Sequence, residues 1–567
     1  MEKYELRGHS PEDRSVTGRE GLIMADTLSP GTQAQETPKW MDKKAQEMLQ
    51  KIEGDKAKAQ LKVSSKDQLS SLRHIRTNKT VWHTMPYFLL YLLSCSYADI
   101  SSLDLVRACN DTSFGEITRI MKKIGSTVNI GIDLSRSCEI IRKDARTPYF
   151  RDFLQRFAQI AKMGEDMTEF LSKEYNTFMT MYSSEMERSL TRLKRFTEAY
   201  SAILSSSVLI VLILIFTSLI WGGSLSMVGT TIPLICVLYG VFCLVFYMGS
   251  PTVKLISAGP KEPKFERLLN LSKWIGRATI AINIAVGAIL YLGLLPPDIV
   301  MIAAALAGAP ALIVGWLGLR ASNKVQAVDE RFSEFVTMLA TSLSSMGTSM
   351  AFAFRDIAKL DFAGLSPFIK RMSGRLELGI DKKLSWKTFQ KETSSELVRI
   401  HSEAFSEANS HGAPAKEYGP LIANSALFVI SLRRRMEETA ALMKGIAVPM
   451  TPILCAIMGL IMGIISQFVN VFKTFQSQGL SFIFGFSSAE SLPVLQSYIY
   501  IMILTLIIVN AFILHEVSGE QDFDMTYYLG MFTLFGWLAY YVCAVGISSY
   551  LQGIGLANLG NISMPGS

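Results

Sequence analysis

Charge is what this 567-residue sequence has least of for its length. Asp, Glu, Lys and Arg make up 19% of it, against 49% hydrophobic residues and a mean hydropathy of +0.27. That balance excludes an ordinary soluble protein and points to a polytopic membrane protein with sizeable soluble parts. Cysteine is scarce and unpatterned. Cys95, Cys109, Cys138, Cys236, Cys243, Cys455 and Cys543 form no CxxC and no framework spacing, which argues against a disulfide scaffold or a metal site. No GxxxxGK[ST] phosphate loop is present, so the chain is not expected to hydrolyse ATP itself. HExxH, GxSxG and the kinase motif set are absent as well, and nothing calls for a cofactor. The six His are scattered; His401 and His411 bring no Cys cluster and read as core or surface residues. Runs of alternating β-branched residues are missing too, which leaves an all-α fold.

What is present, first of all, is a repeat. GIDLSRS at 131–137 returns as GIDKKLS at 379–385. The same offset of 248 residues takes Phe157 to Phe405, Gly164 to Gly412, Arg107 to Arg355, Lys122 to Lys370 and Arg151 to Arg399, and carries Ser94 and Ser96 onto Ser342 and Ser344. Self-similarity at one fixed spacing over about 70 residues marks a duplicated unit. Both copies end in a charged helical stretch, MERSLTRLKRFTEAY and SLRRRMEETAALMKG, that runs into an apolar span.

Seven apolar runs qualify as spans, near 200–220, 226–248, 278–296, 299–318, 446–466, 495–515 and 529–550, none with an ionised residue at its centre. The run at 85–95, MPYFLLYLLSC, is too short to cross and reads as a buried helix of a soluble domain, with a re-entrant segment as the alternative. FRDFLQRFAQIAKM places Phe150, Phe153, Leu154, Phe157, Ile160 and Ala161 on one helical stripe. The expected organisation is a polar region at 1–80, disordered to about 37 and then charged and helical. A first helical domain follows at 81–198, four spans at 199–319, a second domain at 320–445, and three spans with a short tail at 446–567. The first long apolar run starts near 200, so no signal peptide is expected and the N-terminus reads as cytosolic. Both domains then face the cytosol with the basic loop 249–277, and the exterior holds one Lys, Lys473, and no Arg, as the positive-inside rule requires.

Intramembrane charges, the usual mark of an ion-coupled transporter, are absent. Breaks at AGAPA (307–311) and at Pro449 and Pro452 could line a permeation path. The small-residue faces Cys455, Gly459, Gly463 and Ala303, Ala307, Ala311 favour helix packing instead. In the soluble copies the repeated cations stand out: Arg107, Lys122 with Lys123, and Arg151; then Arg355, Lys370 with Arg371, and Arg399. They suit the docking of an acidic cytosolic partner. The Arg433–Arg435 run reads equally as a lipid headgroup contact. Nucleic acid is not expected, because Glu dilutes the basic residues and no aromatic-interleaved motif appears. Gly131 and Gly379 supply turns. Asp133 caps the helix that follows, whereas at Asp381 the neighbouring Ser385 competes for the cap. Gly164 and Gly412 allow a tight turn or close packing between long helices.

The two Gly-led turns (GIDLSRSCEII, GIDKKLSWKTF), the later glycines (AKMGEDMTEFL, NSHGAPAKEYG) and two helical domains separated by four spans resemble the type II secretion F-domain platform proteins. Within them, they resemble the platform proteins of the archaellum, over residues 84–550. Bacterial members carry an acidic residue before the second glycine and have fewer spans; Lys162-Met163 and Ser410-His411 stand there in this sequence, which favours the archaeal branch. The resemblance implies a non-enzymatic membrane platform. A hexameric secretion ATPase would dock on its cytosolic domains and drive insertion of archaellin or pilin-like subunits into a filament. An adhesive pilus or Tad-like system differs in cargo, and a homodimer beneath the sixfold ring is implied by the same analogy. A solute transporter with regulatory domains is the alternative from another class.

Overall fold

The structure, a computed structural model, describes residues 81–221, 225–250, 255–257, 259–294, 296–346, 349–477, 492–519 and 523–553. The segment 1–80, with its expected charged helix, lies outside these residues.

The apolar stretch at 85–95 forms α1 (81–96), a core helix in which Phe88 to Leu93 and Cys95 are fully buried. Helix α2 (Ser102–Ala108) begins at Ser101, whose hydroxyl accepts from the Asp104 N–H at 3.2 Å. Between α3 (Glu116–Asn129) and α4 (Leu134–Ile141), Gly131 turns the chain at φ +100°, and the Asp133 carboxylate accepts from the Ser135 N–H at 3.0 Å. Helix α5 (Pro148–Met163) buries Phe150, Phe153, Leu154 and Phe157, the expected stripe. Ala158 completes it, and Ile160 and Ala161 sit half-buried at its edge. Gly164 ends α5 in the left-handed region at φ +70°, in open space, so it serves the turn and not close packing. Helix α6 (Met167–Trp221) then runs from the bundle through the first apolar span as one helix of 55 residues, about 80 Å long.

The next spans are α7 (Leu225–Gly249), α8 (Pro263–Leu292) and α9 (Pro297–Met346). Here the structure departs from the sequence reading. Much of the expected loop 249–277 is already helix α8, which ends at Leu292 because Gly293 caps it at φ +64°. The fourth span does not stop near 318. Helix α9 continues without interruption into the second bundle, since nothing in ASNKVQAVDERFSEF breaks a helical pattern.

The second bundle then repeats the first element by element at the 248-residue offset. The end of α9 occupies the place of α1. Helices α10 (Met350–Ile357), α11 (Ser366–Glu377), α12 (Lys382–Thr393), α13 (Glu396–Ser410) and α14 (Ala415–Ser477) follow as α2 to α6 did. Gly379 and Gly412 turn the chain at φ +72° and +82° where Gly131 and Gly164 do. Asp381 caps α12 cleanly, accepting from the Leu384 N–H at 3.0 Å. The expected competitor Ser385 is fully buried inside the helix and does not cap. Helices α15 (Leu492–Val517) and α16 (Asp524–Gly553) complete the order. Seven helices among the described residues are long and apolar enough to cross a membrane, and α15 is the most enclosed of them.

Packing of the spans follows from small residues. A Cβ on Gly459 would fall 2.3 Å from the Tyr540 carbonyl oxygen, and one on Gly463 2.2 Å from the Ile547 side chain, so the Cys455–Gly459–Gly463 face of α14 lies directly on α16. On α9 the expected face is displaced by one position. Ala303 is exposed and Ala307 only half-buried, while Ala304, Gly308, Ala311 and Gly315 turn inward against α16. The prolines of α9 and α14 sit inside continuous helices. Both bundles share one hydrophobic core, and the spans form another.

Candidate partner-docking surface

The relation between the two bundles is set where their exit helices meet. Glu187 of α6 pairs with Arg435 of α14 at 2.6 Å, and these are the same repeat position. A little further from the spans, the ring of Tyr182 lies 6.1 Å from that of Phe428, the counterpart of position 180. The two helices therefore run side by side and parallel, with positions 187 and 435 level. Elsewhere the bundles touch asymmetrically, through Tyr87 against His401 at 5.9 Å between rings and Lys383 to Asp111 at 3.1 Å.

The repeated cations divide into three kinds in this frame. Lys123 donates to Asp144 at 2.5 Å and Arg371 to Glu392 at 3.1 Å. Asp144 and Glu392 are themselves 248 apart, so one ion pair, bracing α3 or α11 against the segment two turns on, has been kept in both copies. These two cations are engaged within the protein. Arg399 is engaged further still: it is buried, clamped by Glu396 at 2.7 and 2.9 Å and by Glu403 at 3.3 Å. It cannot meet a partner, and its counterpart Arg151 is exposed and donates to the Ala145 carbonyl at 2.9 Å. The environments diverged because α13 carries Glu at 396 and 403 where α5 carries Pro148 and Gln155. Lys122 and Lys370 remain exposed in both copies, and neither forms an ion pair among the described residues. Arg107 and Arg355 are exposed too, Arg107 leaning on Asp104 at 3.3 Å. Arg107, Lys122, Arg355 and Lys370 are thus exposed and form no ion pair to another element among the described residues.

The Arg433–Arg435 run is engaged in ion pairs within the protein. Arg433 pairs with buried Asp329, which also accepts from the Ser395 hydroxyl; Arg434 lies 3.8 Å from Glu330, and Arg435 meets Glu187. Beside this cluster His401 is fully buried between the Leu397 carbonyl at 2.8 Å and Ser425 at 3.1 Å. Burial holds its pKa down at about 4, so it is a neutral core residue. Among the described residues no group of His, Cys, Asp or Glu could hold a metal ion, and the seven cysteines are free thiols.

Burial also pushes the Glu403 carboxyl up to about 7, against the pull of Arg399. Its folded value lies above its unfolded one, so its contribution to stability is complete below about pH 4.5 and is lost as pH rises through 7. Thermal unfolding of the full-length protein in detergent should therefore show a fall in stability between pH 5 and 8, on the order of 2 kcal/mol. Glu403→Gln should flatten that slope; an unchanged slope would mean that Glu403 does not titrate in this range.

Sequence reasoning overlooked the polar residues inside the spans. Tyr200 of α6 donates to the Asn510 side-chain oxygen at 2.5 Å, and the Asn510 amide donates to Thr451 of α14 at 2.8 Å. One residue of α15 thus ties both exit helices together. A second network joins α8 to α16 through Asn283, which donates to Thr533 at 3.0 Å and accepts from Trp537 at 3.2 Å. An Asn within an apolar run was the signal available for each.

Two helical bundles that share a core, each continuous with a span, define a polytopic all-helical membrane protein. Residues 88–215, the first bundle with its exit helix, match the family described as type II secretion system (T2SS), protein F. The chain is similar to Flagella accessory protein J of Methanocaldococcus jannaschii, at 23% identity over 445 residues, 76% of this chain and 78% of that protein. It is also similar to Flagella accessory protein J of Methanococcus voltae, at 25% identity over 329 residues, 55% of this chain and 58% of that one. No solved structure matches the chain. These likenesses bear out the resemblance to archaellum platform proteins read from the repeat.

Proposed function

We propose that this protein is the membrane platform of an archaellum-type filament machine, with its two bundles in the cytosol. A hexameric secretion ATPase docks on the bundles, and its ATP-driven motion is passed to the spans to insert archaellin-like subunits. The observation that carries the reading is the continuity of α6 and α14. Each is one unbroken helix from bundle to span, of 55 and 63 residues, so a displacement at the bundles must move the membrane helices. The two helices are paired by Glu187–Arg435 above the spans and by Asn510 within them, and they move as a unit. The hydrolytic chemistry belongs to the ATPase, and this chain receives the work.

Binding of the cognate ATPase to the full-length protein in lipid nanodiscs tests the docking. Charge reversal at Arg107, Lys122, Arg355 and Lys370 together should weaken binding at least about tenfold at low salt and flatten its salt dependence. Unchanged binding would place the docking surface elsewhere on the bundles. Copurification of the ATPase with the wild-type protein is the prior requirement, and its failure would remove the platform reading.

A further inference from the structure

The two most exposed large apolar side chains among the described residues are Ile130, at 82%, and Leu378, at 81%. They are the same position of the repeat, 248 residues apart, each immediately before the positive-φ glycine that turns α3 into α4 or α11 into α12. No other pair of prominently exposed apolar residues in the bundles coincides in this way. A single exposed Ile or Leu on a protein surface needs no explanation. Two at one register position are different, because the copies have diverged at most other positions and a polar residue would be cheaper in water at both. Neither side chain is required by the turn, which depends on the glycine that follows it.

Duplication has thus placed one apolar tip on each bundle, at the same turn between the same two helices. The chemistry around Leu378 is cationic, and that around Ile130 only slightly so. In the hairpin 364–389, Arg371 and Arg375 are paired with Glu392 and Lys383 with Asp111, which leaves Lys370, Lys382 and Lys387 without an ion pair among the described residues; the hairpin 116–141 carries four cations against three carboxylates and is nearly neutral. Lys122 and Lys370, the exposed repeated lysines, lie two helical turns before the apolar tips.

The geometry points to a two-point docking device. Ile130 and Leu378 are apolar knobs that enter two copies of one socket, apolar at its floor and rimmed by carboxylates, on two subunits of a homo-oligomeric ring. A partner that offers the same surface more than once is the occupant that two copies of one knob can engage at once. This rests on the docking reading above and deepens it, from a basic surface to two equivalent anchors. Bivalent attachment makes the second contact intramolecular, so each knob contributes far more to a ring than to a lone subunit.

The test uses the full-length protein in lipid nanodiscs, with the cognate secretion ATPase as probe, both as assembled ring and as a subunit variant that does not assemble. Wild-type protein should hold the ring roughly a hundredfold or more tighter than the lone subunit. Ile130→Ser and Leu378→Ser should each remove roughly tenfold or more of that difference. The double variant should bind the ring no better than the subunit. Ile130→Leu and Leu378→Ile should keep wild-type binding. Both serine changes are on exposed tips, and an unchanged thermal transition would show that the fold is intact. If the double serine variant binds the ring like wild type while reversal at Lys122 and Lys370 abolishes binding, the basic docking surface stands and the twin anchors are wrong. Equal affinity of the wild type for ring and subunit overturns them too. So does a wild-type dimer that the serine changes dissociate, because the tips would then meet a second copy of this chain. Failure of the wild type to bind the ATPase in any form removes the platform reading and this inference together.

Discussion

Gly530→Val is expected to prevent assembly of the membrane helices. A Cβ at 530 would stand 2.3 Å from the Leu312 nitrogen and 2.7 Å from the Ala311 carbonyl carbon, both backbone atoms of α9 that cannot rotate aside. The contact is reciprocal. A Cβ on Gly308 would fall 2.7 Å from the Gly530 carbonyl oxygen, and one on Gly315 2.5 Å from the Tyr527 Cα. Helices α9 and α16 are therefore backbone to backbone over two turns, and in lipid such close packing replaces the hydrophobic force that water would supply. Overpacking a well-filled core commonly costs about 1–3 kcal/mol, and a clash with backbone should reach or exceed the upper end. Thermal unfolding in detergent, followed by tryptophan fluorescence, should show G530V unfolded or strongly destabilised. Gly240→Ala and Gly546→Ala, in open space, should leave the transition unmoved. A G530V protein as stable as wild type would mean that α9 and α16 do not pack in this way.

The second large effect should come from Asp329→Ala. Asp329 on α9 receives Arg433 of α14 and the hydroxyl of Ser395, which itself caps α13 by accepting from the Val398 N–H at 3.1 Å. Three helices of the second bundle meet at this one carboxylate. The pair is nearly sealed from water, with Asp329 1% exposed. Removing one partner of a buried pair strands the other charge and typically costs about 3–5 kcal/mol. Removing both and filling the space need not be harmful, so D329A should be severe and Asp329→Leu with Arg433→Met should recover most of the loss. Hydrogen exchange on α13 and the upper part of α14 should rise sharply in D329A alone. Similar stability in the single and double variants would show that the pair is not the anchor of this bundle.

The sequence reading and the structure agree where local chemistry decides. Gly131, Gly164, Gly379 and Gly412 were legible as turns because a positive φ is a property of one residue and its neighbours. The stripe on α5 was legible because burial on a helix follows a 3.6-residue period. Arg399 was misread as a surface cation because a repeat match records ancestry and not environment. Only the carboxylates one turn to either side of it decide that it points inward. The α9 packing face was placed one position off for a similar reason. AAALAGAP is small on several faces, and α16, more than 200 residues away, selects which face is used.

By itself, then, the sequence determined that the chain is helical, that it crosses a membrane about seven times, and that a bundle with its exit helix was duplicated. Hydropathy, periodicity and a fixed offset are carried by residues close together or matched in register. The tertiary structure alone decided that the two exit helices pair through Glu187 and Arg435, that Arg399 is buried while Arg107, Lys122, Arg355 and Lys370 stay exposed, and that two apolar residues at one repeat position are the most exposed large ones among the described residues. Those facts depend on pairs such as Glu187 and Arg435, brought together only when two long helices pack in parallel, and no window of sequence contains both partners.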